Sequence, residues 1–168
     1  MTKDTLLPDE LVAKAREVVD ANRKIGRKLA VAESCTGGLV CAALTEIPGS
    51  SEVLDAGYVT YSNEAKIADL HVSEEVVETF GAVSIATAWA MAQGALDASN
   101  ADVAVAITGI AGPGGGTPSK PVGTVVFACA VRNADPAKIV ADQKLFNEQS
   151  RSGVRLQAAL CALELLVP

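Results

Sequence analysis

Two short apolar runs, KLAVAES at 28–34 and ADVAVAITGIAG at 101–112, restrict the fold of this chain more than any other feature. Both read as buried strands, and around them β-rich and helical segments alternate, which is the signature of an α/β domain. Residues 8–25 read as an amphipathic helix begun near Pro8-Asp9 and ended near Gly26. The first strand runs into TGGLVCAALTEI, a buried helix that stops at Pro48-Gly49, and EVLDAGYVTYS is a second strand. NEAKIADL and SEEVVETF are short helices with Asn63 and Ser73 as N-caps, and SIATAWAMAQGALDAS is a long alanine-rich helix starting after Ser84. Beyond a loop of glycines and prolines at 112–121, GTVVFACAVR and KIVADQKLFN form an antiparallel pair across NADPA. EQSRSGVRLQAALCALELL then closes the chain as a helix. With 168 residues, 49% of them hydrophobic, and neither a repeat nor a dividing linker, residues 1–168 form one domain with ample material for a core.

Charge and composition exclude several function classes. A net charge of -6, with no basic cluster beyond RKIGRK at 23–28, argues against a surface that holds phosphate backbones, so nucleic acid is not an expected partner. The N-terminus lacks an apolar signal-like region and no later stretch approaches ~18 uncharged apolar residues, so no membrane association is expected and the location is read as cytoplasmic. The four cysteines, Cys35, Cys41, Cys129 and Cys161, form no C-x-x-C and lie in apolar or alanine-rich contexts typical of buried thiols. Neither a disulfide framework nor a zinc site is expected. His71 is the single histidine and reads as a surface or inter-helix residue, so a His-rich metal centre is excluded.

Two polar, glycine-bearing stretches, ESCTGG and TGIAGPGGG, sit where strands end, and in open α/β sheets ligands bind beyond the carboxyl ends of parallel strands. Neither matches the dinucleotide fingerprint or the Walker loop. Ser34, at a strand-to-helix junction, has two readings. It or Thr36 can cap the following helix, or Ser34 can attack a substrate whose oxyanion or phosphate meets the free N–H groups of that helix. Cys35 is a rival nucleophile, but strand alternation points it to the opposite face. A serine hydroxyl needs a base. Lys66, one helical turn beyond the end of the second strand, can serve if partial burial lowers its pKa, and Tyr61 in the same segment can relay the proton or orient the pair. Taken alone, Lys66 also reads as a solvated helix lysine.

AESCTGGLV, GYVTYSNEAK, GAVS, ITGIAGPGGGTPSKPVGTVVFA and RSGVRLQAAL resemble, in order and spacing, the CinA C-terminal domain family of nicotinamide-nucleotide amidohydrolases, from about residue 8 to the C-terminus. The resemblance implies a three-layer α/β/α sandwich with a mixed five-stranded sheet, one strand antiparallel. It implies removal of the carboxamide nitrogen of nicotinamide mononucleotide, giving nicotinate mononucleotide and ammonia in pyridine nucleotide recycling, with no cofactor and no metal. On the matching positions it makes Ser34 the nucleophile, Lys66 the general base, Tyr61 the assisting hydroxyl, Thr108 a residue of the catalytic site and Arg151 a substrate-binding residue. Beside that assignment, N–H groups near Thr36, Gly37 and Gly38 are expected to hold the oxyanion. Arg151 or Arg155, which share a helix face, is expected to pair with the phosphate, and the glycine loop with Gly109 and Gly112 to approach ribose or phosphate. Many relatives carry an additional N-terminal domain with a molybdopterin-cofactor-binding-like fold, and this chain looks like the stand-alone form. A homo-oligomer is compatible with the sequence. The other functional reading is a non-catalytic nucleotide-binding or regulatory module using the same crevice; Ser34, Tyr61 and Lys66 together favour the enzyme.

Overall fold

Large and small apolar residues alternate along β1 (Leu29–Glu33), β3 (Val103–Gly109) and much of β4 (Thr124–Val131), so the two faces of the central sheet differ in depth. In the computed structural model, which describes residues 4–147 and 150–168, the bulky face carries Leu29, Val31, Val105, Ile107 and Phe127. It packs against α1 (Asp9–Lys24), α2 (Leu39–Thr45) and α6 (Arg151–Glu164). The opposite face presents Ala30, Ala32, Ala104, Ala106 and Ala128 to α3 (Asn63–Leu70), α4 (Glu74–Phe80) and α5 (Ile85–Asp97). Small side chains on the sheet let the alanine-rich α5 settle closely on it. The end of α3 presses equally closely on α5, since a Cβ at Gly94 would collide with the Leu70 carbonyl oxygen. Among the described residues no helix is long and apolar enough to cross a membrane.

The strand order is β2-β1-β3-β4-β5, with β2 spanning Leu54–Val59 and β5 Val140–Leu145. β1 is parallel to β2 and β3, β3 is antiparallel to β4, and β4 is antiparallel to β5. Only β4 therefore opposes the rest, and the expected mixed five-stranded α/β sandwich with one antiparallel strand is what forms. Register brings the strand ends level: Glu33 lies opposite both Val59 and Ile107. Ser34, Thr60 and Thr108 thus emerge at one edge of the sheet, on either side of the point where the chain order reverses. β4 begins at that edge with Thr124 opposite Leu145, so β5 ends there and delivers the start of α6.

Local differences from expectation lie at the helix starts. The hydroxyl that caps α3 belongs to Ser62, which accepts from the Ala65 N–H at 3.0 Å, and Asn63 is the first helical residue. Ser73 stands at the α4 N-cap position without a capping side-chain bond. Ser84 does cap α5, accepting from the Thr87 N–H at 3.1 Å. The closing helix, expected from residue 148, begins at Arg151 with Ser150 as its cap; residues 148–149 lie outside the described residues. All four cysteines are free thiols, but only Cys35 is fully buried, while Cys41, Cys129 and Cys161 are half-buried. His71 ends α3 in the left-handed region at φ 54 and is exposed.

Candidate active site

The turn after β1 shows first why Ser34 is free to react. Neither Ser34 nor Thr36 caps α2. That task falls to Glu33, whose carboxylate is fully buried and accepts from the N–H groups of Gly38 at 3.0 Å, Val40 at 3.1 Å and Cys41 at 2.9 Å. A carboxylate at a helix N-terminus meets N–H donors that have no partner within the helix. The chain can fold back over Glu33 because Gly37 and Gly38 take φ 60 and φ 96, a region that costs glycine little. This geometry corrects the expected oxyanion donors. The Gly37 N–H donates to the Ser34 carbonyl at 3.0 Å and the Gly38 N–H to Glu33, so both are engaged within the turn. The N–H groups of Cys35 and Thr36 enter no backbone–backbone hydrogen bond among the described residues.

Ser34 and Lys66 meet as the sequence suggested. Ser62 fixes the start of α3, and one turn later Lys66 points back under the ends of β1 and β2. Its side chain is 1% exposed, and Nζ lies 3.1 Å from Ser34 Oγ and 2.8 Å from the Thr60 carbonyl oxygen. The carbonyls of Ser62 and Tyr61 stand further off, at 3.4 and 3.5 Å. Burial pushes the Lys66 amine below its ordinary value, with nearby acidic groups at Cys35 and Glu64 opposing the shift. Cys35 also lines the cleft above the pair while packing with the core cluster of the α1, α2 and α6 side, and burial pushes its thiol up to about 11. Two further hydroxyls, of Thr36 and Thr60, are buried without a hydrogen-bond partner among the described residues.

Above the pair opens a cleft of ≈ 200 Å³ whose lining includes Ser34, Tyr61, Lys66, Thr108, Gly109 and Arg151. Thr108 is buried and its Oγ1 donates to the Ala82 carbonyl at 2.8 Å, tying the end of β3 to the segment before α5. Gly109 leaves room where a Cβ would stand 2.9 Å from the Thr124 carbonyl oxygen and 3.1 Å from Cys35 Sγ. Tyr61 is 59% exposed and its hydroxyl accepts from Arg151 Nη2 at 2.7 Å, so its phenol is held by Arg151, and it is the Tyr61 carbonyl that faces Lys66. Arg151 also donates through Nη1 to the Gly112 carbonyl at 2.7 Å. Gly112 therefore meets the cleft through Arg151. Arg155 departs from expectation: its Nη2 donates to the Thr36 carbonyl at 2.9 Å, so it braces the Ser34 turn, and it does not line the cleft beside Arg151.

Glu33 and the Thr60 and Ala82 carbonyls are the contributors that sequence reading missed. For Glu33 a signal exists, an acid at the end of an otherwise apolar strand with no basic residue within four positions. The carbonyls carry none, since every residue has one.

A model of the family described as CinA C-terminal domain matches residues 12–168. A protein of Enterobacter agglomerans named nicotinamide-nucleotide amidohydrolase PncC is 48% identical over 148 residues, covering 88% of this chain and 88% of its own length. A CinA-like protein of Mycolicibacterium gilvum is 51% identical over 141 residues, 84% of this chain and 32% of that protein; the chain spans about a third of the length of such larger curated relatives. Among solved structures, the competence/damage inducible protein CihA from Agrobacterium tumefaciens superposes with a TM-score of 0.92 at 46% identity, covering 97% of each chain. With the family model spanning nearly the whole chain and the solved fold superposing throughout, the chain belongs to the CinA C-terminal domain family.

Proposed function

We propose that the protein hydrolyses the carboxamide of nicotinamide mononucleotide, releasing ammonia and nicotinate mononucleotide, by covalent catalysis at Ser34. The observation that carries this reading is the buried Lys66 amine 3.1 Å from Ser34 Oγ at the base of the cleft. The name of the Enterobacter agglomerans relative supplies the substrate class. A module that only binds a nucleotide has no use for a desolvated amine against a hydroxyl.

The steps follow from the groups present. Lys66, whose amine burial holds below its ordinary value, accepts the Ser34 hydroxyl proton while its own N–H groups donate to backbone carbonyls, first that of Thr60. Ser34 Oγ attacks the carboxamide carbon, and the developing oxyanion takes the N–H groups of Cys35 and Thr36, which no backbone carbonyl engages. Collapse breaks the C–N bond, and the leaving nitrogen takes the proton from the Lys66 ammonium and departs as ammonia. Water then attacks the acyl ester, giving a proton to Lys66; Oγ leaves and recovers that proton, and the acid is released. Thr108 holds the wall opposite Ser34 through Ala82. Arg151, with Tyr61 aligned against it, offers the guanidinium that meets the phosphate in the outer cleft.

The test is ammonia release from nicotinamide mononucleotide by purified protein, with intact mass measured after rapid acid quench. The expected result is turnover, a substoichiometric acyl adduct on Ser34, and loss of both in Ser34→Ala and Lys66→Met. Full turnover in Ser34→Ala would overturn the mechanism. Absence of any turnover in a folded wild-type protein that still binds the nucleotide would favour the binding module.

A further inference from the structure

Away from the cleft, a second cavity of ≈ 270 Å³ opens where the end of α3 and the start of α4 meet α5, and it shares no lining residue with the active site. Leu70, Val76, Ala90 and Gly94 make its walls largely apolar. Trp89, the single tryptophan of the chain, stands at its side and is 37% exposed. The one donor of its indole is already used, since Nε1–H gives to the Pro136 carbonyl at 3.2 Å, so the ring offers an occupant only its π surface and apolar area. Asp97, the last residue of α5, is the only carboxylate in the lining, and no lysine or arginine stands there beside it. Its Oδ1 accepts from Gln93 Nε2 at 3.1 Å, and it forms no ion pair among the described residues. Both α3 and α5 turn their C-terminal ends towards the cavity, which adds the negative ends of two helix dipoles to that carboxylate.

We propose that this cavity binds a small aromatic cation of the N-alkylpyridinium class. A carboxylate without a counter-charge on one side and an indole on the other both favour positive charge on the occupant, by direct attraction and through the ring quadrupole. A metal ion is the wrong cation. It needs several ligands, and among the described residues no group of three His, Cys, Asp or Glu side chains could hold one. An alkylammonium or a guanidinium brings three or five N–H donors, most of which would stay unpaired against Leu70, Val76 and Ala90. An N-alkylated ring carries its charge without such donors and stacks on the indole as well. The volume accommodates one ring with a short substituent, below the range usual for larger ligands. Binding here does not depend on the hydrolysis proposed for the cleft.

Because Trp89 is the only tryptophan, its fluorescence reports on this cavity alone. The probe is 1-methylnicotinamide, titrated at pH 8 beside uncharged nicotinamide, which has the same ring without the methyl group and the charge. The expected result is saturable quenching with a dissociation constant of roughly 1 mM, and binding of nicotinamide about tenfold weaker or more. Asp97→Asn keeps an acceptor for Gln93 and removes the charge; it should weaken binding of the cation about five- to tenfold. Asp97→Glu should restore it to within about threefold. Circular dichroism melts confirm that both variants are folded, as the exposed position of Asp97 favours. Quenching that stays linear and matches that of free N-acetyltryptophanamide, equal binding of the two ligands, or a folded Asp97→Asn that binds as wild type does would each overturn the proposal.

Discussion

Replacing Glu33 tests whether the turn that presents Ser34 depends on a buried carboxylate. In Glu33→Ala three donors at the start of a seven-residue helix lose their acceptor, the N–H groups of Gly38, Val40 and Cys41. Deleting a capping side chain costs roughly 0.5–2 kcal/mol, and a buried donor left unpaired costs roughly 1–3 kcal/mol. Water entering the vacated space offsets part of this, so the expected loss is about 3 kcal/mol. In a domain of this size, that lowers Tm by about 6–12 °C. Glu33→Gln is the sharper probe. One oxygen, Oε2, serves both Gly38 and Val40, while Oε1 serves Cys41, so an amide can keep the first two bonds but must turn an NH2 towards the Cys41 N–H. Its loss should fall between wild type and Ala, at about 1–2 kcal/mol. Urea unfolding followed by circular dichroism, with an unchanged m-value, reads both numbers. Since Ser34 follows Glu33 directly, turnover measured below the unfolding midpoint should fall through kcat with KM little changed. Stability of Glu33→Gln within about 0.5 kcal/mol of wild type would refute the capping argument, since a surface substitution does no more.

Lys66 predicts a pH dependence of definite sign. Because burial lowers its amine below 10.5, the unfolded chain binds more protons than the folded one between the depressed value and 10.5, so stability rises with pH across that window. Turnover, which needs the neutral amine, should rise through the same depressed value in the wild-type rate profile, and Lys66→Met should remove the stability effect in urea titrations. Cys35→Ser should keep most of the activity, because burial pushes the thiol up to about 11 and so disfavours the thiolate at neutral pH. A thiol reagent that inactivates stoichiometrically at Cys35, together with a dead Cys35→Ser, would reverse that assignment. Arg151→Ala should lower kcat/KM for nicotinamide mononucleotide by about one to two orders of magnitude, the worth of a charge-assisted hydrogen bond, and should spare nicotinamide riboside, which lacks the phosphate. Equal losses on both would mean that Arg151 acts by holding Tyr61 and Gly112 in place.

What the sequence determined by itself was the layout. Apolar alternation along 29–33 and 103–109, with helical spacing between, specifies strands and helices through local sterics and the partition of side chains from water, and these act over a few residues. NEAKIADL forms α3 with the bounds read from its composition and carries Lys66, while Ser34 follows the end of β1. Only the tertiary structure decided how those groups are used. Lys66 sits on a short helix whose pattern, taken alone, suits a solvated lysine better, and it is buried because α3 lies across the ends of β1 and β2. Glu33 became a cap, although Ser34 and Thr36 stood closer in type to capping residues, because strand alternation turned its carboxylate towards the side on which α2 begins. Arg155 and Arg151 share a helix, yet one reaches the Thr36 carbonyl and the other the Tyr61 hydroxyl and Gly112 carbonyl. A polar side chain takes whichever backbone group packing has left unpaired, and which groups those are is set by chain segments distant in sequence.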